Sequence, residues 1–354
     1  MKKAILTALC AILICVLLPP IASRVFGREY VDPNVPAQTA DEPIEKTEPT
    51  TNLTDKDLPP AETATEPTAA VFAPVNRSFD ERFRLPVLHE GEIVSMSLYE
   101  YVLGAVLGEM PTSFSTEALK AQAVACRTYA LRLYSHRKHG AAAVCTDPGC
   151  CMNWVSEQEY AAAHSQEAIA PAEDAVRQTD SAAIYYEGAL IDAVFFSCSG
   201  GRTEDAADVW GGEVPYLHAV DSPDEQAPHN TDSVTASKSE FAAILMEANE
   251  MAVFSEDGTG WVGQITYTNG GGVATAELGG CIFTGVQLRR LFGLYSTAFT
   301  LEFQGETAVF TTHGFGHRVG MSQYGADAMA KAGKGYQDIL QWYYQGVTVE
   351  SAKQ

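Results

Sequence analysis

Basic residues are scarce in this chain. Against 45 aspartates and glutamates there are only 23 lysines and arginines, which leaves a formal net charge of −22 over 354 residues. A surface of that sign repels phosphate backbones and anionic headgroups, so no nucleic-acid partner is expected and acidic lipid is a poor candidate. No internal repeat is present, and strands and helices do not alternate regularly along the chain. The second absence argues against a doubly wound sheet and for an α+β fold of mixed helices and short antiparallel strands.

What the sequence does contain begins with Met1-Lys-Lys3 and an apolar run from Ala4 to Ala22, broken only by Thr7 and Pro19-Pro20. A run of that length spans a bilayer. A signal peptide is the alternative, but the run exceeds a usual signal core and Ile21-Ala-Ser-Arg24 matches a cleavage site only loosely. Residues 1–27 are therefore read as a cytoplasmic tip and signal anchor of a single-pass cell-membrane protein, with Lys2 and Lys3 inside. Everything after Arg24 is extracytoplasmic. Residues 28–75 carry 8 of the 17 prolines and 10 acidic against 3 basic residues. Such a segment cannot bury enough apolar surface to offset its chain entropy, and it reads as a disordered, extended tether. Residues 76–354 remain as one large domain or two intimate lobes. Removing +3 for the anchor and −7 for the tether leaves −18 on this body.

Within the body, Leu98, Val102, Ala105 and Val106 repeat at helical spacing, and Glu109 falls on the same face before Pro111 stops the helix. A carboxyl held against that face has its charged form desolvated, so its pKa rises and it can serve as a general acid. The plainer alternative is a helix-terminal glutamate that leans into water. A second helix follows from Ser115 to Tyr134, with Leu119, Ala123, Cys126, Ala130 and Leu133 as its apolar stripe. Lys120 and Arg127 flank the stripe about 10 Å apart along the axis. They are either a solvated flank whose stems cover the core or a cationic pair beside the acid.

Strands are expected at Ala183–Tyr186 and Leu190–Phe196, joined by a turn at Glu187-Gly188. Trp261–Thr268, Val273–Leu278 and Ala298–Phe303 also read as strands, while Val286–Phe292 and Tyr336–Tyr344 read as helices. Two glycine-rich loops carry hydrogen-bonding groups: Ser197, Ser199 and Thr203 in one, His317, Ser322, Gln323 and Tyr324 in the other. They are either tight turns or a surface on which a sugar ring can lie close to backbone.

Of the 8 cysteines, Cys10 and Cys15 belong to the apolar anchor, while Cys126 and Cys281 read as small core residues. Three others cluster with a histidine, as His139, Cys145, Cys150 and Cys151, folded back by Pro148-Gly149. A disulfide from Cys145 to Cys150 or Cys151 is one reading outside the cytoplasm. A zinc site is the other, since imidazole and thiolate are both good ligands for that ion.

Glu109-Met-Pro111, Glu117-Ala-Leu-Lys-Ala-Gln122 and Arg127-Thr-Tyr-Ala130 together resemble the stage II sporulation protein D family of lytic transglycosylases, which includes the amidase-enhancer proteins. Phe196–Glu204 and Gly314–Ala326 are similar to two further blocks of that family, in the same order. Arg318 departs from the pattern, where glycine is usual, and so does Cys198, where a small hydroxyl residue is common. The resemblance implies a peptidoglycan lytic transglycosylase with Glu109 as acid and base, cleaving between N-acetylmuramic acid and N-acetylglucosamine to leave 1,6-anhydro ends. It further implies substrate contacts from Lys120, Arg127, Ser197, Ser199, Thr203, His317, Ser322, Gln323 and Tyr324. Zinc on His139, Cys145 and Cys151 is also implied, with a fourth position open to water, His136, His164 or another group. The implied setting is engulfment during sporulation, on glycan strands already stripped by a partner amidase. Two rival readings are a noncatalytic glycan-binding or amidase-activating scaffold and a zinc hydrolase.

Overall fold

The computed structural model describes residues 78–352, so the anchor at 1–27 and the tether at 28–75 lie outside the described residues. The chain opens with α1 (Phe79–Arg82), the hairpin β1 (Arg84–His89) and β2 (Glu92–Ser97), then α2 (Leu98–Glu109) and α3 (Thr116–His136). Next come β3 (Val144–Cys145), which pairs parallel to β1, then α4 (Glu157–Ala163), α5 (Ala170–Gln178), β4 (Ala182–Tyr186), β5 (Ala189–Leu190), β6 (Phe195–Phe196) and α6 (Ala206–Trp210). A second section holds β7 (Thr231–Ser237), α7 (Lys238–Ala248), β8 (Val262–Tyr267), β9 (Val273–Leu278), β10 (Cys281–Thr284), α8 (Gly285–Phe292), β11 (Phe299–Gln304) and β12 (Thr307–His313). The chain then returns through β13 (Met321–Ser322), α9 (Gln323–Lys331), α10 (Tyr336–Tyr343) and β14 (Thr348–Ser351).

Helices and mainly antiparallel strands thus mix without βαβ alternation, an α+β arrangement. The hydrophobic residues form two cores. The first is built round α3, whose alanines at 118, 121, 123, 125 and 130 are fully buried. Small side chains let α2, α5, α9, α10 and β4 all approach this one helix. The second is aromatic: Phe241 stacks on Phe292 at 5.3 Å and lies near Trp261, Phe303 and Phe310, between the sheets β10-β9-β8 and β11-β12-β7.

Arg318 ties the two sections together. Its guanidinium donates to the carbonyls of Ser199, Arg202 and Gly270 at 2.7, 2.8 and 2.8 Å and pairs with Glu204 at 2.8 Å. Glu204 in turn accepts from the Gly272 N–H at 2.9 Å, in the β8–β9 turn of the second section. Arg318 holds φ at +66°, the left-handed region that favours glycine. The backbone strain is offset by a buried guanidinium that makes four bonds to protein oxygens.

The β4–β5 hairpin turns at Glu187 and Gly188, both at positive φ. Its second strand is shorter than the apolar run to Phe196 implies. Asp192 leaves the ladder to pair with Arg132 at 2.6 Å, and its N–H donates to the Tyr216 hydroxyl at 2.9 Å.

Candidate active site

Helix α2 is buried along nearly its whole length, and its last turn delivers Glu109. Met110 donates to the Val106 carbonyl and then turns extended, with ψ at 135°, as a residue before proline must. Two glycines decide what lies over this end. A Cβ at Gly104 would stand 2.1 Å from the Trp154 indole nitrogen, and one at Gly108 would stand 2.3 Å from the Asn153 carbonyl oxygen. Without those methyls the 153–155 segment closes onto the helix. Val155 N–H donates to the Gly104 carbonyl at 3.1 Å, and the Asn153 side-chain amide donates to the Gly108 carbonyl at 2.6 Å. The Asn153 backbone N–H reaches Glu109 Oε1 at 2.7 Å. Burial pushes the Glu109 carboxyl up to about 7, against the lowering pull of that N–H. Glu109 is thus half-buried with one oxygen held by that N–H, rather than leaning freely into water.

Glu109 opens on one side into a groove of ≈ 550 Å³ bounded by Leu107–Ser113, Tyr160, His164 and Ala168. Among the described residues that line it, Glu109 is the sole acid. Tyr160 and His164, both on or just after α4, lie with ring centroids 4.4 Å apart, and the Tyr160 hydroxyl is 3.1 Å from Thr112 Oγ1. Sequence reasoning missed Asn153 and Tyr160 and weighed His164 only as a metal ligand. The capping box Ser156–Glu159 announces α4; nothing local says that α4 folds over Glu109.

The C-terminal loop does meet the acid. Gln323 donates from its side-chain amide to the Glu109 carbonyl at 3.0 Å, and Tyr324 packs edge-on against Phe114 with centroids 4.9 Å apart. Half-buried Ser197 accepts at its carbonyl from the Tyr324 N–H at 3.1 Å, because β6 and β13 run side by side.

Other residues expected to touch substrate are placed elsewhere. Arg127 is fully buried, its guanidinium paired with Asp80 at 2.6 Å and donating to the carbonyls of Ala182 and Val176 at 3.2 and 3.3 Å. Its partner lies 47 residues upstream, beyond the reach of helical spacing. Lys120 is held at 2.7 Å by Glu117, one turn back. Neither cation is bonded to Glu109. Ser199 and Ser322 are buried round Asp224, donating their hydroxyls to it at 2.9 and 2.6 Å. Thr203 is buried and accepts the Val220 N–H at 2.8 Å; His317 is buried and accepts the Val319 N–H at 3.1 Å through Nδ1. These four hold the glycine loops in shape from beneath, a role that residue type alone does not separate from binding.

The cysteine cluster is brought together. One donor atom from each of His139, Cys145, Cys150 and Cys151 lies within 4.8 Å of all the others, and the cysteines are free. One imidazole and three sulfurs at that separation suit a zinc ion. The cluster sits directly upstream of Asn153, and Tyr101 of α2 donates to the Cys145 carbonyl at 3.1 Å. Cys126 is buried in the first core, and Cys281 is half-buried on β10. His136 donates from Nδ1 to its own helix's Arg132 carbonyl, and His164 faces the groove, so neither is among the cluster.

The sequence model of a family described as Stage II sporulation protein matches residues 89–186, the section that contains Glu109 and the cysteine cluster. Stage II sporulation protein D of Bacillus subtilis (strain 168) is 38% identical over 73% of this chain and 76% of its own length. The protein of the same name from Bacillus amyloliquefaciens is 39% identical over the same shares, 73% and 76%. The Amidase enhancer of Bacillus subtilis (strain 168) is 27% identical over 70% of this chain and 40% of its own length.

Proposed function

Because the chain belongs to the stage II sporulation protein D family, we propose that it is a lytic transglycosylase that cuts peptidoglycan glycan strands during sporulation. One observation carries this reading: a single carboxyl, raised to about 7, at the floor of a groove that holds no second acid among the described residues. Most glycoside hydrolases use two carboxylates, one as acid and one to activate water or attack the sugar. A transglycosylase needs one, used twice.

In the first step protonated Glu109 gives its proton to the oxygen linking N-acetylmuramic acid to N-acetylglucosamine, and the bond from C1 to that oxygen breaks. The ionised Glu109 then takes the proton from the 6-hydroxyl of the same muramic residue as O6 bonds to C1. A 1,6-anhydro end results and the carboxyl regains its proton. The Asn153 N–H on Oε1 fixes the carboxyl's orientation and steadies its anion between the two steps. Gln323 anchors the Glu109 carbonyl from the opposite side. Tyr324 of α9, bonded to the Ser197 carbonyl, bounds the approach on one side, and Tyr160 with His164 bounds it on the other.

The cysteine cluster fits zinc, held by His139, Cys145 and Cys151, and supplies rigidity to the segment that ends at Asn153. The body would be carried outside the cell membrane by the apolar N-terminal run and reach the wall through the acidic tether. A partner amidase that strips peptides from the strands completes the setting. A second reading draws on the relative named Amidase enhancer: a scaffold that binds glycan and activates an amidase, without cleavage of its own.

Incubating the full-length chain with peptide-free glycan strands and weighing the products separates these readings. Anhydro ends are expected. Hydrated reducing ends would make it a hydrolase, and intact strands would leave the scaffold reading in place.

A further inference from the structure

We propose that Cys150 is the fourth protein ligand of the ion held by His139, Cys145 and Cys151, closing the site as one imidazole and three thiolates; this rests on the zinc reading of that cluster. Distances argue for it. With Zn–S near 2.3 Å and Zn–N near 2.0–2.1 Å, a tetrahedral shell sets nitrogen and sulfur about 3.6 Å apart along an edge. His139 Nε2 lies 3.3 Å from the Cys151 sulfur and 3.6 Å from the Cys150 sulfur. The imidazole therefore treats the two neighbouring thiols alike, although only one of them fits the spacing of the three-ligand set.

The backbone explains how consecutive residues reach one point. The Asp147 carbonyl accepts from both the Cys150 and Cys151 N–H groups, at 3.0 and 3.1 Å, and the Asp147 carboxylate caps the turn through the Gly149 N–H at 2.8 Å. This tight loop carries both sulfurs onto the imidazole, while β3 supplies Cys145 from the side. Charge agrees as well. A zinc ion with three thiolates and a neutral imidazole keeps one negative charge, and the Lys138 ammonium sits on the Cys150 carbonyl at 2.7 Å. A closed shell leaves no coordination position for water or a sugar oxygen, so the ion would be a structural fixture beneath the acid.

Cobalt in place of zinc reads the number of sulfurs directly. The full-length chain, loaded with cobalt, should show thiolate-to-metal charge transfer whose intensity falls by about a third in Cys150→Ser while one ion stays bound. In parallel, wild-type protein as purified is treated with iodoacetamide before and after chelation, and the Cys150 peptide is weighed. Protection of Cys150 until the ion is removed is expected. Unchanged charge transfer in Cys150→Ser, or alkylation of Cys150 at the same rate with the ion present and absent, would overturn the fourth ligand and leave the three-ligand site standing. A chain that binds no ion, or that shows a disulfide at Cys145, would end the zinc reading and this inference together. Should the serine variant fail to fold, the wild-type alkylation pattern decides alone.

Discussion

Replacing Glu109 by glutamine should abolish cleavage and at the same time stabilise the protein at alkaline pH. The amide keeps the size of the carboxyl and an oxygen to accept the Asn153 N–H at 2.7 Å, so the fold has no reason to move. What it lacks is a transferable proton, and loss of general acid catalysis costs about 10²- to 10⁴-fold. The stability change follows from the raised pKa. An ordinary glutamate ionises near 4.5 and this one near 7, so between those values the folded chain holds a proton that the unfolded chain has released. Its favourable contribution is complete below 4.5 and is lost as pH rises through 7. Above pH 7 the wild type carries a half-buried charge that the variant does not, worth at most about 3 kcal/mol and less for a group open to a groove. Melting at pH 8.5 should therefore come a few degrees later in Glu109→Gln than in wild type, and the difference should vanish at pH 4. Wild-type turnover should mirror this, with the carboxyl protonated in about nine molecules of ten at pH 6 and about one in ten at pH 8. Anhydro ends measured by mass across that range test both halves. A glutamine variant that still forms anhydro ends refutes the chemistry; one that melts with wild type at every pH refutes the burial.

Four further outcomes are expected. Gly108→Ala drives a methyl to within 2.3 Å of the Asn153 carbonyl, so the segment must shift at a cost of about 1–3 kcal/mol; if the Asn153 N–H is lost while burial persists, the pH midpoint of turnover moves upward, and an unmoved profile would count against that contact. Arg127→Met strands Asp80 and should cost about 3–5 kcal/mol in denaturant melts, while the folded fraction keeps its turnover; a turnover loss that exceeds the unfolded fraction would restore Arg127 to substrate binding. Arg318→Gly relieves the positive φ yet leaves Glu204 unpaired, so it should destabilise, and adding Glu204→Gln should recover part of the loss. Chelation should lower the melting temperature, because ion binding at such a site contributes directly to folding; an unchanged melt after verified metal removal would reject a structural ion.

The sequence disclosed those elements whose signals are local. Helix α2 is stopped by Pro111, α3 carries an apolar stripe, α8 and α10 show helical spacing, and β8, β9 and β11 lie between glycine turns; each begins or ends within two residues of where pattern alone puts it. The hairpin β1–β2 escaped notice because Glu90 and Gly91 turn between mostly exposed or half-buried positions, without strict alternation. At the site, Glu109 was legible for a physical reason: a carboxyl in register with an apolar helix face, followed by a stop, has few places to go except a buried edge. The contacts that tune it were not. Asn153 lies 44 residues away and works through a backbone N–H that any residue but proline possesses.

Arg127 and the loop serines show the reverse case, in which polar residue type and shared direction suggest a ligand and the fold supplies an internal partner. Seven-residue spacing put Arg127 beside the stripe, but α3 is enclosed by α2, α5, α9, α10 and β4, so no solvated flank remains at that level. A buried guanidinium must find an anion, and Asp80 supplies it. Likewise Asp224, which has no motif of its own, collects the hydroxyls of Ser199, Ser222 and Ser322 and so turns two glycine loops into one bonded platform under Gln323. The groove's chemistry is consequently carried by few groups, while most polar residues of the family blocks hold those few in place. That division makes a definite demand on mutants: changes at Ser199, Ser322 or Arg127 should act on melting first, whereas changes at Glu109 should act on bond cleavage with the fold intact.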